Sequence, residues 1–167
     1  GVKGGRDMIF KEIYEEYSQS VYRFCLSLAG NPHEAEELMQ ETFYRDFLAA
    51  DRFEGRSTVY TWLCQIGKNA WLKECRRRKR YGELPAGGSA AVDTAPTPEE
   101  WSIVQDEYAR VRRAIFRLEE PYKDVFVLHM FGGLPLKEIA QAHGKSESWA
   151  RVSYYRAKQK IIQEAKG

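Results

Sequence analysis

Residues 82–98 read GELPAGGSAAVDTAPTP, and this stretch limits the fold more than any other feature of the chain. Its Gly, Ala and Pro offer few side chains large enough to bury, and they interrupt regular structure. A flexible linker without a packed core is expected there. The chain must then build its structure in two pieces, and 167 residues suffice for two small domains.

On both sides of the break the apolar residues recur at helical spacing, and strand-type alternation does not persist. Ile13, Tyr17, Val21, Phe24 and Leu28 mark a first long helix that ends at Gly30. "NPHE" opens a second, with Asn31 as N-cap, Pro32 at the first helical position and Glu34 three after the cap. That helix is expected to run to about Asp51. After the loop "RFEGR", Ser57 should cap a third helix with the apolar seam Val59, Leu63, Ile66 and Ala70, running out in "RRRKR" at 76–80. Helical spacing resumes at Pro98, with Val104, Tyr108, Val111, Ile115 and Leu118 on one face. A helix from Pro121 stops at Gly132-Gly133, and two short ones follow. The expected fold is all-α: two small helical domains, 7–80 and 98–167, joined by a flexible linker at 81–97.

The composition, 43% hydrophobic and 30% charged, is that of a soluble globular protein. No apolar run approaches the roughly 18–20 residues that span a bilayer, and "GVKGGRD" has no signal-peptide core. A cytoplasmic protein with no membrane insertion is expected. Cys25, Cys64 and Cys75 are too few and too scattered for a disulfide framework or a metal site, and read as reduced, mostly buried thiols. Metal clusters, phosphate loops, nucleophile elbows and His/Asp pairs beside the cysteines are all missing from the sequence, so neither enzyme chemistry nor a cofactor is expected.

The net charge of +2 conceals a strong pattern. Residues 7–54 hold 4 Lys/Arg against 11 Asp/Glu, residues 55–80 hold 8 against 1, and residues 136–167 hold 7 against 3. An acidic block adjoining a basic one, with a second basic block at the end, implies two polar partners, one of them nucleic acid.

The last block, "LKEIAQAHGKSESWARVSYYRAK", carries helix-turn-helix punctuation. Ala140 sits where two helices cross closely, Gly144 permits the left-handed turn, and Ser146 caps the second helix. On that helix Ala150, Tyr154, Ala157 and Ile161 share one arc and should pack inward. Ser148, Arg151, Val152 and Tyr155 share the opposite face, with Arg156 at its edge, and suit a major groove. His143 and Lys145 stand around the turn where apolar residues are usual, which predicts a turn less tightly stapled than most.

The third helix, "GRSTVYTWLCQIGKNAWLKECRRRKR", interleaves Tyr60, Trp62 and Trp71 with Arg56, Lys68, Lys73 and the cations at 76–80. Aromatic faces that stack on bases, beside cations that follow phosphates, are the chemistry of single-strand capture. Trp62 adjoins Leu63 and should be at least partly core, whereas Lys68 and Arg76 lie opposite the seam and are expected to contact DNA.

Through these segments the chain closely resembles bacterial sigma factors of the extracytoplasmic-function (ECF) group in the sigma-70 family. "AEELMQETFYRDF" is similar to the family's polymerase-binding helix, "DRFEGRSTVYTWLCQIGKNAWL" to its promoter-melting and minus-10 segment, and "LEEPYKDVFVLHMFGGLPLKEIAQAHGKSESWARVSYYRAK" to its minus-35-binding domain. The resemblance covers residues 9–163. It implies that Glu37, Gln40 and Glu41 meet core RNA polymerase, and that Asn69 reads a flipped minus-10 base with Phe53 in the adjoining loop. It implies that Arg151, Val152, Tyr155 and Arg156 read the minus-35 element, where His129 replaces an arginine common in relatives. It also implies an anti-sigma partner. The rival readings are a stand-alone helix-turn-helix regulator and a protein-interaction module. A regulator needs a dimerisation surface or ligand pocket, where residues 7–80 offer a polar acidic helix.

Overall fold

The computed structural model describes residues 2–81 and 98–166, with side chains from Met8 to Tyr81 and from Glu107 to Lys166. The stretch read as a linker lies outside the described residues. Helices α1 (Val2–Ala29), α2 (Pro32–Ala49), α3 (Val59–Arg80), α4 (Pro98–Phe116), α5 (Tyr122–Met130), α6 (Leu136–Ala142) and α7 (Glu147–Lys166) account for the architecture, and no strand occurs among the described residues. The chain divides into two compact units, Gly1–Pro85 and Ala86–Gly167. The all-α expectation holds.

In the first unit each of α1, α2 and α3 packs against the other two. Val21, Phe24 and Leu28 of α1, Leu38 and Phe43 of α2, and Leu63 and Trp71 of α3 form the core. Gly67 permits this approach, since a Cβ there would lie 3.1 Å from Thr42 Oγ1 and 3.6 Å from the Phe24 ring. The boundary at Gly30 (φ 83°) and the Asn31 cap are as read from the sequence. Asn31 Oδ1 accepts from the Glu34 N–H at 2.9 Å while its amide donates to Glu34 Oε2 at 2.7 Å. The third helix starts one residue later than expected: Thr58, not Ser57, is the cap, its Oγ1 accepting from the Thr61 N–H at 3.1 Å. Ser and Thr are both favoured caps, so adjacent candidates look alike in sequence.

Because α3 has a helix on each flank, its buried arc is wider than one apolar seam. Thr61, Leu63, Cys64, Gly67, Lys68, Ala70 and Trp71 are buried, while Val59 and Ile66 are half-buried. Lys68, expected at the surface facing DNA, is only 4% exposed and is withdrawn as a DNA contact. Trp71 is core as well, at 2%, with the Arg78 guanidinium 5.6 Å from its ring. Burial pushes the Cys25 and Cys64 thiols up to about 12, which keeps both protonated and unreactive.

In the second unit α7 packs against α4, α5 and α6. Val125, Leu128, Ile139, Ala150 and Ala157 lie at its centre. Only the last part of the α4 seam is buried: Ile115 and Leu118 are, whereas Tyr108 and Val111 stand 37% and 41% exposed, and the Val104 side chain lies outside the described residues. Gly144 (φ 66°) makes the left-handed turn, and Ser146 Oγ accepts from the Trp149 N–H at 3.1 Å, so the predicted helix-turn-helix punctuation is in place. The turn itself is stapled more firmly than its polar residues suggested. His143 Nε2 pairs with Asp124 of α5, and the His143 ring lies 5.3 Å from Trp149.

Candidate nucleic-acid interface

On α3, Trp62, Asn69 and Arg76 are seven residues apart, so they stand almost in line along one face at intervals of about 10 Å. Asn69 and Arg76 are exposed and Trp62 is half-buried. The Trp62 indole N–H donates to Asp46 Oδ1 at 3.1 Å, and its ring lies 5.5 Å from Phe53. Phe53 follows the single turn of 3-10 helix Ala50–Arg52 and donates its N–H to the Ala50 carbonyl at 3.2 Å. Phe53, Trp62, Asn69 and Arg76 therefore border one surface, and Lys68 is buried. Of the cations that end α3, Arg77 and Arg78 bond Glu74, and Arg78 also pairs with Glu34. Those bonds, the Arg77 hydrogen bond first, lower the Glu74 carboxyl to about 2. Arg76, Lys79 and Arg80 stand exposed.

On α7, Ser148, Arg151, Val152, Tyr155 and Arg156 are all exposed, with Tyr155 at 60% and Val152 at 44%. The inward face is Ala150, Ser153, Ala157 and Ile161, with Tyr154 half-buried. Guanidinium, aromatic and methyl groups thus share one helix face without competing demands from the core, the assortment that reads base edges in a major groove. His129 stands apart from them. It is half-buried, its Nδ1–H donates to the Leu134 carbonyl at 2.7 Å, and its ring meets Tyr154 edge-on at 4.6 Å. Only its Nε2 is left for an outside group.

Residues 13–81 match the family described as sigma-70 region 2, and residues 108–161 match sigma-70 region 4. The chain belongs to the sigma-70 family. The ECF RNA polymerase sigma factor SigW of Bacillus subtilis is 29% identical over 149 residues, covering 84% of this chain and 80% of SigW. SigM of the same organism is 29% identical over 156 residues, covering 92% and 93%. Among solved structures, CnrH in complex with the cytosolic domain of CnrY shares the fold at a TM-score of 0.56 and 20% identity, over 94% of this chain and 87% of CnrH. RpoE of Bartonella quintana, solved with the anti-sigma factor NepR, does so at 0.55 and 21%, over 94% and 96%. This sigma factor is of the ECF group and acts in promoter-directed transcription initiation. A region 2 match across α1 to α3 also removes the stand-alone regulator.

In this sigma factor the outer face of α2 carries Glu37, Gln40 and Glu41, all exposed. Glu37 accepts a 3.2 Å contact from His33, and Glu41 bonds Arg45 at 2.7 Å. Glu37 and Glu41 form the acidic side of a groove of about 430 Å³ between α2 and α3, whose basic side includes Lys73, Arg77 and Arg80. The same α2 face continues into Tyr44 and Leu48, each 59% exposed. Sequence reasoning missed both, although 37, 41, 44 and 48 keep helical spacing and place two large apolar groups on the polar side.

Proposed function

We propose that this sigma factor divides promoter recognition between its two units and docks on core polymerase through α2. The α7 face of Ser148, Arg151, Val152, Tyr155 and Arg156 reads the double-stranded minus-35 element, and His129 Nε2 reaches at most a flanking phosphate. The α3 surface of Phe53, Trp62, Asn69 and Arg76 takes the minus-10 strand after opening. Glu37, Gln40 and Glu41, extended by Tyr44 and Leu48, meet the polymerase. The observation that carries this reading is the line of Trp62, Asn69 and Arg76, an aromatic, an amide and a cation together on one face outside the core.

The domains are 7–80 and 98–167, with 81–97 as the tether. The protein works in the cytoplasm, has no catalytic activity of its own, and is held between uses by an anti-sigma protein. The complexes of CnrH with CnrY and of RpoE with NepR support that last partner. Run-off transcription on a genomic library tests the whole reading. Promoter-specific transcripts are expected only when this chain and core enzyme are both present, and specific duplex binding by the chain alone, with no gain from core, would overturn it.

A further inference from the structure

Asp46 is a carboxylate only 5% exposed, in the last turn of α2 and the last of that helix's buried residues. Among the described residues its side chain has one hydrogen-bond partner, the Trp62 indole N–H. Burial raises its pKa, and the bond from Trp62 offsets part of that rise. An apolar residue would fill the same space at less cost, because a buried polar group is penalised unless its partners are complete. Stability alone therefore does not account for an acid at this position.

Geometry does. The bond fixes the indole edge of Trp62, and the centroid of that ring lies 5.5 Å from that of Phe53 at an interplanar angle of 58°. Phe53 follows directly on the 3-10 turn at the end of α2 and precedes the short loop to the Thr58 cap. A continuous path thus runs from α2 through the Trp62 ring to the loop. We propose that Asp46 is a positioning residue for minus-10 recognition: by holding the Trp62 indole, it sets the Phe53 loop on the surface proposed for the minus-10 strand. The proposal rests on the assignment of Phe53, Trp62 and Asn69 to the minus-10 strand.

Asp46→Asn keeps the acceptor oxygen and removes the charge, whereas Asp46→Leu keeps the bulk and removes the acceptor. Trp62→Phe breaks the same bond from the other side and keeps a ring against Phe53. The Trp62 indole N–H resonance in the whole free chain, assigned by its loss in Trp62→Phe, reports the bond directly. Open-complex formation with core polymerase, on promoters varied at minus-10, reports its consequence. Asp46→Asn should keep a hydrogen-bonded indole shift and near-normal opening. Asp46→Leu and Trp62→Phe should reduce opening and minus-10 selectivity about tenfold, the order a bond to a charged group is worth. Core affinity and minus-35 binding should stay unchanged in both. Should Asp46→Leu lose its helical circular dichroism, the comparison of Asp46→Asn with Trp62→Phe decides. Normal opening in Trp62→Phe and Asp46→Leu beside a defective Asn69→Ala would overturn the proposal alone, as would an Asp46→Asn as defective as Trp62→Phe. Normal opening in Asn69→Ala and Phe53→Ala would overturn the minus-10 assignment and the proposal together, while the indole shift still showed whether the bond exists.

Discussion

His143 reaches from the helix-turn-helix turn to Asp124 near the start of α5, whose side chain is 10% exposed. Removing one partner of a buried hydrogen bond costs more than the bond itself contributes, while replacing both with apolar groups can be nearly neutral. The His143 side chain is 24% exposed, so His143→Ala should cost about 1–3 kcal/mol. The double variant Asp124→Leu/His143→Leu should cost less than the sum of its single substitutions. Thermal melts of the four proteins give the coupling energy, and strict additivity would show that the pair does not act as a unit. The caps at Asn31 and Ser146 and the left-handed glycines were legible in sequence because each depends on neighbours within four residues. The pairing of His143 with a residue 19 positions away was not, since a polar residue in an apolar position declares the departure and not its partner. Lys68 failed in the same way: one seam on a helical wheel does not disclose that α3 has a neighbour on both flanks.

At the scale of elements, two acids restrain the basic end of α3, Glu74 through Arg77 and Arg78 and Glu34 through Arg78. Glu74 is lowered from its ordinary 4.5 to about 2, so its stabilising contribution is complete above pH 4.5 and fades as pH falls through about 2. Its side chain is 35% exposed, and solvent screening reduces the benefit to about 1 kcal/mol or less. Glu74→Gln should therefore lower stability slightly at neutral pH and not at all near pH 2. It should also loosen Arg77 for phosphates, while Arg78 keeps Glu34, and steepen the salt dependence of DNA binding by about one unit. Circular-dichroism melts against pH and a salt titration of duplex affinity check the two arms. The neighbouring face of α2 carries a separate expectation. Charge reversal of Glu37 and Glu41 should abolish core binding with helical content unchanged. Tyr44→Ser and Leu48→Ser should each weaken it about tenfold if these apolar groups sit at the buried centre of the contact. The acidic half of that face was plain from its charge. The apolar half was hidden because sequence analysis assigns large apolar residues to a core by default.

For the molecule as a whole, two units with separate cores and differently equipped surfaces imply two separable steps. On the proposed reading the α7 face meets duplex DNA, where a bidentate arginine contact to guanine is worth roughly 1–3 kcal/mol of discrimination. Its energy is gained on first encounter. Asn69 stands on a different unit, on the α3 face that also carries Trp62; on the proposed reading its base is available only after the strands part, so its energy is gained late. Arg151→Ala should weaken closed-complex formation and relax preference within the minus-35 element. Asn69→Ala should leave initial binding nearly intact and reduce open-complex formation and minus-10 selectivity. Permanganate footprinting on duplex and pre-melted templates separates the steps. A pre-melted bubble bypasses the melting part of the Asn69 defect and leaves the lost base contact, but it gives Arg151→Ala no relief. Identical defects at the same step in the two variants would mean that the units do not divide the work.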